Sequence, residues 1–452
     1  MSTRSTWHPW IEDGGTAALH ERLAGALESD ILRGEIAPGA RLPAHRDLAR
    51  RLGISVGTVT RAYMNLERRG LVTGEHGRGT FVAAPDCPRD GTELIDLSVN
   101  VPPPMLAARK LASTLTALPQ LVSTTDLSTY SDPLGMLRHR QAIATWLSTQ
   151  GMPVTAERVL ITHGAQHALA VAFAAAGEPR GVVITEAHTY PGALESVRQT
   201  GKQLISVRTD DHGVIPDVLA DVLRSTQDAP SRIVYLTPTL HNPFGYVMDQ
   251  RRRTSIVDVC RKYDATIIED DVYSVFRAAQ TTPLATLAPE RTWYVNGFSK
   301  SLSPGLRVGT LVSPENNQLQ GRAVLQATTL GVSPLMAELV ARWISDGTAA
   351  DIAIALRAES EERLDLAGSM LADRIPFLPS GGFHLWLPMP RAQAEETAHL
   401  AAREGILVTP PTATLTDPSS EESGLRVCIG RPDPRQLERG LARLKRLIET
   451  MP

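Results

Sequence analysis

From residue 96 onward, seven short apolar runs recur between longer stretches of helical spacing: RVLIT (158–162), GVVIT (181–185), QLISV (203–207), RIVYLT (232–237), ATIIED (265–270), TWYVNG (292–297) and RVGTLV (307–312). Runs this short and this apolar are strands buried on both faces. Their alternation with helices calls for a mostly parallel sheet with helices packed on either side. In such sheets ligands collect at the carboxyl ends of the strands. The chemistry of the chain is therefore sought where those runs end.

Bulk properties narrow the field without choosing within it. The 452 residues suffice for two or three domains. Apolar residues make up 42% and charged residues 21%, an ordinary globular balance, and the net charge of −3 points to no partner by itself. The three cysteines, Cys87, Cys260 and Cys428, are widely spaced and form no CxxC pair. Neither a disulfide framework nor a zinc site is expected, and a reducing cytoplasm is the natural setting. No metal is expected. The opening MSTRSTWHPWIEDGG lacks the apolar core of a signal peptide. The longest apolar stretch, Ala168 to Gly177, is about half of what a membrane span needs.

The region before residue 90 differs in character. Residues 16–34 read as an amphipathic helix, and Pro38 and Gly39 then turn the chain. A short helix over Arg46–Leu52 is stopped by Gly53. Ser55 is a good N-cap for the next helix, in which Val56, Val59, Tyr63 and Leu66 face a core. Thr58, Arg61 and Asn65 share the opposite face. After Gly70 come two short strands joined by EHGRG (75–79). Between residues 40 and 82 eight arginines meet three acids, a local balance of 8 − 3 = +5. A basic helix-turn-helix can lay its second helix in the major groove while arginines neutralise phosphates.

Segments LPAHRDLARRLGIS (42–55) and GRGTFV (77–82) resemble the GntR-type winged helix-turn-helix. The resemblance assigns DNA contact to Arg46 and wing contacts to Arg78 and Gly79, with Thr58 and Arg61 on the recognition helix. Family members often carry an arginine just after the recognition-helix cap, where this chain has Val56. The domain expected here is residues 1–83. Residues 84–95, rich in Pro, Gly and charge, follow as a linker, which at about 3.3 Å per residue spans roughly 35–40 Å at most.

In the remainder, residues 96–452, the strand ends carry an ordered set. HGAQHALAVAF (163–173) gives a helix start suited to a phosphate, PTLHNPFG (238–245) presents Asn242, and ATIIED ends at Asp270 with Tyr273 three residues on. TWYVNG then runs into Phe298-Ser299-Lys300, and Arg307 follows seven residues later. A buried acid needs a cation, and a protonated pyridine nitrogen is one. Pyridoxal 5′-phosphate requires this combination: a lysine for the Schiff base, an acid for the ring nitrogen, donors for the ring hydroxyl and a cationic phosphate grip.

This part resembles the fold-type I PLP-dependent aminotransferases, an α/β fold, through YSDPLGMLRHRQAIATWL, HNPFG, EDDVY, FSKSLSPGLRVG and GLRVCIG. The resemblance implies Lys300 as the Schiff-base lysine, Asp270 as the pyridinium partner, and Asn242 and Tyr273 at the ring hydroxyl. Tyr190 is the stacking aromatic. Ala165, Gln166, Ser299 and Arg307 lie at the phosphate. It further implies Tyr130 reaching a neighbouring subunit, hence a homodimer, and Arg426 for an effector carboxylate. Two positions depart from the pattern: Gly297, where a hydroxylic residue is usual, and His163, where a small one is common.

A winged helix ahead of such a body is the arrangement of MocR-type regulators. The expectation is a transcription regulator whose aminotransferase-like domain binds a small effector, an amino acid or a B6 vitamer, and whose two heads meet two DNA half-sites. The alternative is a working aminotransferase with an appended DNA-binding domain. A residual half-reaction is compatible with either.

Overall fold

The computed structural model describes residues 18–32, 36, 40–68, 71–75, 79–82, 93–106, 108–277, 281–417, 420 and 422–450. Contacts divide it into two units, with the boundary between Glu93 and Leu94.

In the first unit, helices Leu19–Leu32, His45–Leu52 and Val56–Arg68 pack around Leu23, Leu27, Leu48, Val59, Tyr63 and Leu66, all buried. Gly53 closes the second helix in the left-handed conformation, φ 66°, with its N–H bonded to Ala49. Ser55 caps the third: its hydroxyl accepts from the Thr58 N–H at 3.1 Å. Strands Val72–Glu75 and Gly79–Val82 form the antiparallel wing, and Leu42 donates to the Thr80 carbonyl at 2.8 Å, adding a third edge. One expectation fails here. Val56 is 43% exposed rather than in the core. It is the first residue of its helix, and the buried stripe starts a turn later and takes in Ala62 instead. Residues 16, 17, 33, 34, 70 and 76–78, and with them Arg78, lie outside the described residues.

In the second unit, all seven expected runs join one sheet. Its order is 159–162, 309–312, 292–297, 266–270, 232–236, 182–186, 203–207. Only the strand Gly309–Val312 runs antiparallel to its neighbours. Side chains alternate between two cores: Ile233 and Tyr235 enter one, Val234 and Leu236 the other. Burial on both faces is why these strands read as continuous apolar runs. Gln203–Val207, at the sheet edge, is only partly buried. A smaller sheet pairs His384–Pro390 with Glu422–Cys428, and Ile406–Val408 lies parallel to Ile95–Leu97. Ile95 is buried and begins that strand, so the body starts inside the stretch expected as linker. Residues 84–92 of that stretch lie outside the described residues.

The parallel arrangement puts the carboxyl ends of six strands, and the start of Gly309–Val312, along one edge. Lys300 follows one such end and Arg307 precedes that start, which is how residues far apart in sequence converge.

Candidate functional site

That edge holds a cavity of about 580 Å³. Ten residues expected at a cofactor or effector line it: Ala165, Gln166, Tyr190, Asn242, Asp270, Tyr273, Ser299, Lys300, Arg307 and Arg426. Tyr130 does not. It is 89% exposed and borders a separate depression with Leu330 and Gly331.

The floor is Asp270, at the end of a buried strand. Its Oδ2 accepts from the Tyr235 hydroxyl at 3.0 Å, while its Oδ1 is buried with no partner among the described residues. Burial pushes this carboxyl up to about 7. Asp270 lines the cavity, and a buried carboxylate with an oxygen left unpartnered calls for a cation or a donor, which a pyridinium N–H would supply. Lys300 is pushed down to about 8 by burial, so far more of its amine is unprotonated near neutrality than in an ordinary lysine, and the unprotonated form is the one a nucleophile needs. It donates to the backbone carbonyl of Asn100.

At the ring-hydroxyl end, Asn242 uses Oδ1 to accept from Arg426 Nη1 at 2.8 Å, which leaves its amide nitrogen as the donor end. Asn242 precedes Pro243 in a cis peptide. Arg426 also donates to Thr409 Oγ1 at 3.1 Å and to the Ser98 carbonyl at 3.2 Å. The Tyr273 hydroxyl accepts from Asn100 Nδ2 at 2.7 Å. Tyr190, just before the helix Pro191–Gln199, supplies an aromatic wall.

At the phosphate end, the helix Ala165–Ala175 begins after Gly164, whose φ is 80°. Arg307 lies over Gly164, where a Cβ would sit 2.9 Å from its Nη2, and donates to the His163 carbonyl at 3.2 Å. Free N–H groups and a guanidinium thus meet at one point. Gln166 turns its side chain away, donating to the Gly192 carbonyl at 2.7 Å and Ser196 Oγ at 2.9 Å, so only its backbone remains for a phosphate. The departure at Gly297 has a steric reason: a Cβ there would stand 3.2 Å from Ala165 Cβ and 3.3 Å from Ala165 N. The start of the helix occupies the space a hydroxylic side chain would use.

Sequence reasoning missed the segment 98–100. Ser98 and Asn100 contribute backbone carbonyls and an amide to the site, and nothing in their local pattern marks them. His384, which bonds Asn100, was missed for the same reason.

In the first unit, Arg46 and Arg61 are exposed and Thr58 is half-buried, its hydroxyl 2.9 Å from that of Ser55. Gly79 has φ 121°, and Arg41 packs against it closely enough that a Cβ would lie 2.9 Å from Nε. Among the described residues no group of three or more potential metal ligands occurs, and no helix is long and apolar enough to cross a membrane.

Residues 92–444 match the family model for aminotransferase class I and II, and residues 19–82 match that for bacterial regulatory proteins of the gntR family. The HTH-type transcriptional regulator YdeF of Bacillus subtilis is 27% identical over 99% of this chain and 97% of its own length. The HTH-type pyridoxine biosynthesis transcriptional regulator PdxR of Corynebacterium glutamicum is 29% identical over 87% of this chain and 88% of its own. Among solved structures, LysN, the α-aminoadipate aminotransferase of Thermus thermophilus, superposes with a TM-score of 0.71 at 25% identity. That match covers 79% of this chain and 92% of LysN.

Proposed function

This chain belongs to the aminotransferase class I and II family and carries a gntR-type helix-turn-helix at its head, and from that premise we propose that it is a MocR-type transcription regulator that binds pyridoxal 5′-phosphate and DNA and responds to a small effector. The unpartnered Oδ1 of Asp270 carries the cofactor reading, because it is a buried acid in want of a ring cation. Bound there, the cofactor supplies an aldehyde for the lysine amine and an electron-withdrawing ring.

The chain's own residues then have these parts. Asp270 holds the ring nitrogen protonated. Asn242 and Tyr273 donate to the ring oxygen, and Tyr190 stacks on the ring. Arg307, Ser299 and the backbone at Ala165 and Gln166 hold the phosphate. Arg426 receives a carboxylate, so the effector is an amino acid unless the vitamer is itself the signal. Tyr130, exposed in one protomer, reaches the partner's site in a homodimer. Arg46, Thr58, Arg61, Arg78 and Gly79 contact DNA in the cytoplasm.

A route for the signal lies in segment 98–100. The two cations that a cofactor and a carboxylate would engage, Lys300 and Arg426, both donate to carbonyls of this segment. Ser98 follows the last residue of the head unit by only five positions. Engaging both cations elsewhere removes two donors from the stretch that leads to the head. Whatever then changes DNA affinity must itself bind differently when DNA is present.

Arg426 and the full lining set also suit an enzyme, so the second reading is an active aminotransferase with a DNA-binding appendage. Anisotropy of a labelled operator fragment, measured with cofactor and a panel of amino acids, separates the two. Ligand-dependent affinity with at most one slow turnover supports the regulator. Affinity indifferent to every ligand, together with steady multiple turnover, overturns it in favour of the enzyme.

A further inference from the structure

We infer that Asn100 and His384 are positioning residues that fix the proton of the Tyr273 hydroxyl toward the cavity, where it serves the ring oxygen of the bound cofactor. The inference rests on the cavity holding pyridoxal phosphate, and goes beyond that reading to two residues outside its usual contacts.

The chain of donors is forced from its far end. His384 Nε2 stands 3.0 Å from the backbone carbonyl of His241. A carbonyl brings no proton, so Nε2 bears one. Full burial pushes His384 down to about 4, so near neutral pH the ring has no second proton and Nδ1 is bare. Nδ1 lies 3.1 Å from the side-chain nitrogen of Asn100, which therefore donates to it. The reversed amide would set its oxygen against the imidazole lone pair. The same nitrogen is 2.7 Å from the Tyr273 hydroxyl and spends its other hydrogen there. The hydroxyl's own proton cannot point back along that bond, and Tyr273 lines the cavity, which takes it.

The neighbouring groups leave this direction intact. Arg426, Cys428, Asp270 and Tyr190 act on the Tyr273 hydroxyl through their charge, and Arg426 and Lys300 act so on His384. Cys428 gives its thiol hydrogen to the Ser98 carbonyl. Asn242 is oriented in the same way, its Oδ1 held by Arg426. Two oriented donors on one phenolic oxygen favour its anionic form, so the bound group titrates at a lower pH than with one.

The test is the pH midpoint of the bound cofactor's visible absorption in the full-length protein. Tyr273→Phe should raise it by about one unit, and Asn100→Asp, which accepts where Asn100 donates, should raise it by a similar amount. His384→Phe, which frees the amide to turn, should raise it by less. Because Asn100 acts through Tyr273, the double variant Asn100→Ala/Tyr273→Phe should match Tyr273→Phe alone. Unmoved midpoints in Asn100→Asp and His384→Phe, or an additive double variant, would overturn the proposal. A second arm uses no cofactor: ¹⁵N-histidine NMR of the ligand-free protein should show His384 protonated at Nε2. Protonation at Nδ1 reverses the donor chain and ends the proposal even if the cofactor binds. Should no visible band form at all, the cofactor reading fails, and the NMR arm still decides the proton's direction.

Discussion

The head and the body place their candidate functional groups in opposite ways. In the head, Arg46 and Arg61 stand exposed, while the fold is held by an apolar core in which neither takes part. In the body, Asp270, Asn242 and Arg426 are 3%, 5% and 8% exposed, and each is bonded to another part of the chain. Function and stability are therefore separable in the head and entangled in the body. A buried charge is held at a cost that only a partner offsets, whereas an exposed arginine costs the fold almost nothing.

The sharpest attempt to break that contrast is Lys300→Ala. The lysine's hydrogen bond runs to the Asn100 carbonyl, a single link, so the fold should survive while the visible cofactor band disappears completely. A retained band would end the assignment of Lys300. Next in size is Asp270→Asn, which should weaken cofactor binding about a hundredfold, the loss expected when a buried cation forfeits its countercharge. Equilibrium dialysis checks it.

The same variant reads the entanglement through pH. Folded Asp270 titrates at about 7, raised from an ordinary 3.8. A carboxyl raised on folding binds its proton more tightly in the native state, so ligand-free stability falls as pH rises from about 4 through 7. Asp270→Asn removes that part of the fall. Without cofactor it should melt higher than the parent at pH 8 and no higher at pH 4. Glu186, also raised to about 7 by burial, leaves a residual fall in both proteins. Identical melting curves across this window would mean that the cavity already compensates Asp270.

In the head, Arg46→Ala should weaken DNA binding about tenfold and reduce the salt slope by about one, with no change in melting temperature. A drop in melting temperature would show that function and stability are mixed there too.

How far each region could be read from sequence follows the same division. The head is local: Gly53, Ser55 and the 59-63-66 stripe act within a turn or two, so cap, stop and face are legible, while Val56 was placed in the core wrongly and Ala62 was missed. In the body the seven strands were legible because burial on both faces writes an unbroken apolar run. Among the lining residues, Asn242, Asp270, Tyr273, Lys300 and Arg307 were legible as an ordered set at strand ends, whereas Tyr190 and Arg426 came only from the resemblance. Segment 98–100 and His384 were not, because they act through carbonyls and an amide whose partners lie about 200 to 330 residues away in sequence. A backbone carbonyl leaves no trace in residue identity. Gly297 was visible as a departure, but its cause, the approach of Ala165, exists only in three dimensions.

The smallest effect is the one that sharpens the comparison most. Val56 opens the recognition helix at 43% exposure, the position where GntR-type heads often carry arginine. Arginine there would extend into solvent from a position that is already 43% exposed. It sets a cation near the helix N-terminus, a mild penalty of about 0.3–1 kcal/mol at the surface. Against that stands one added phosphate contact, which strengthens DNA binding several-fold at low salt and steepens the salt dependence by about one. Val56→Arg should therefore tighten binding to an operator fragment by roughly three- to tenfold at about 50 mM salt, with a melting temperature within about 2 °C of the parent. The gain should shrink as salt rises, because a phosphate contact works by releasing counterions. Tighter binding that ignored salt would mean a base contact instead, and unchanged binding would place this end of the helix away from DNA, leaving the groove to the face of Thr58 and Arg61.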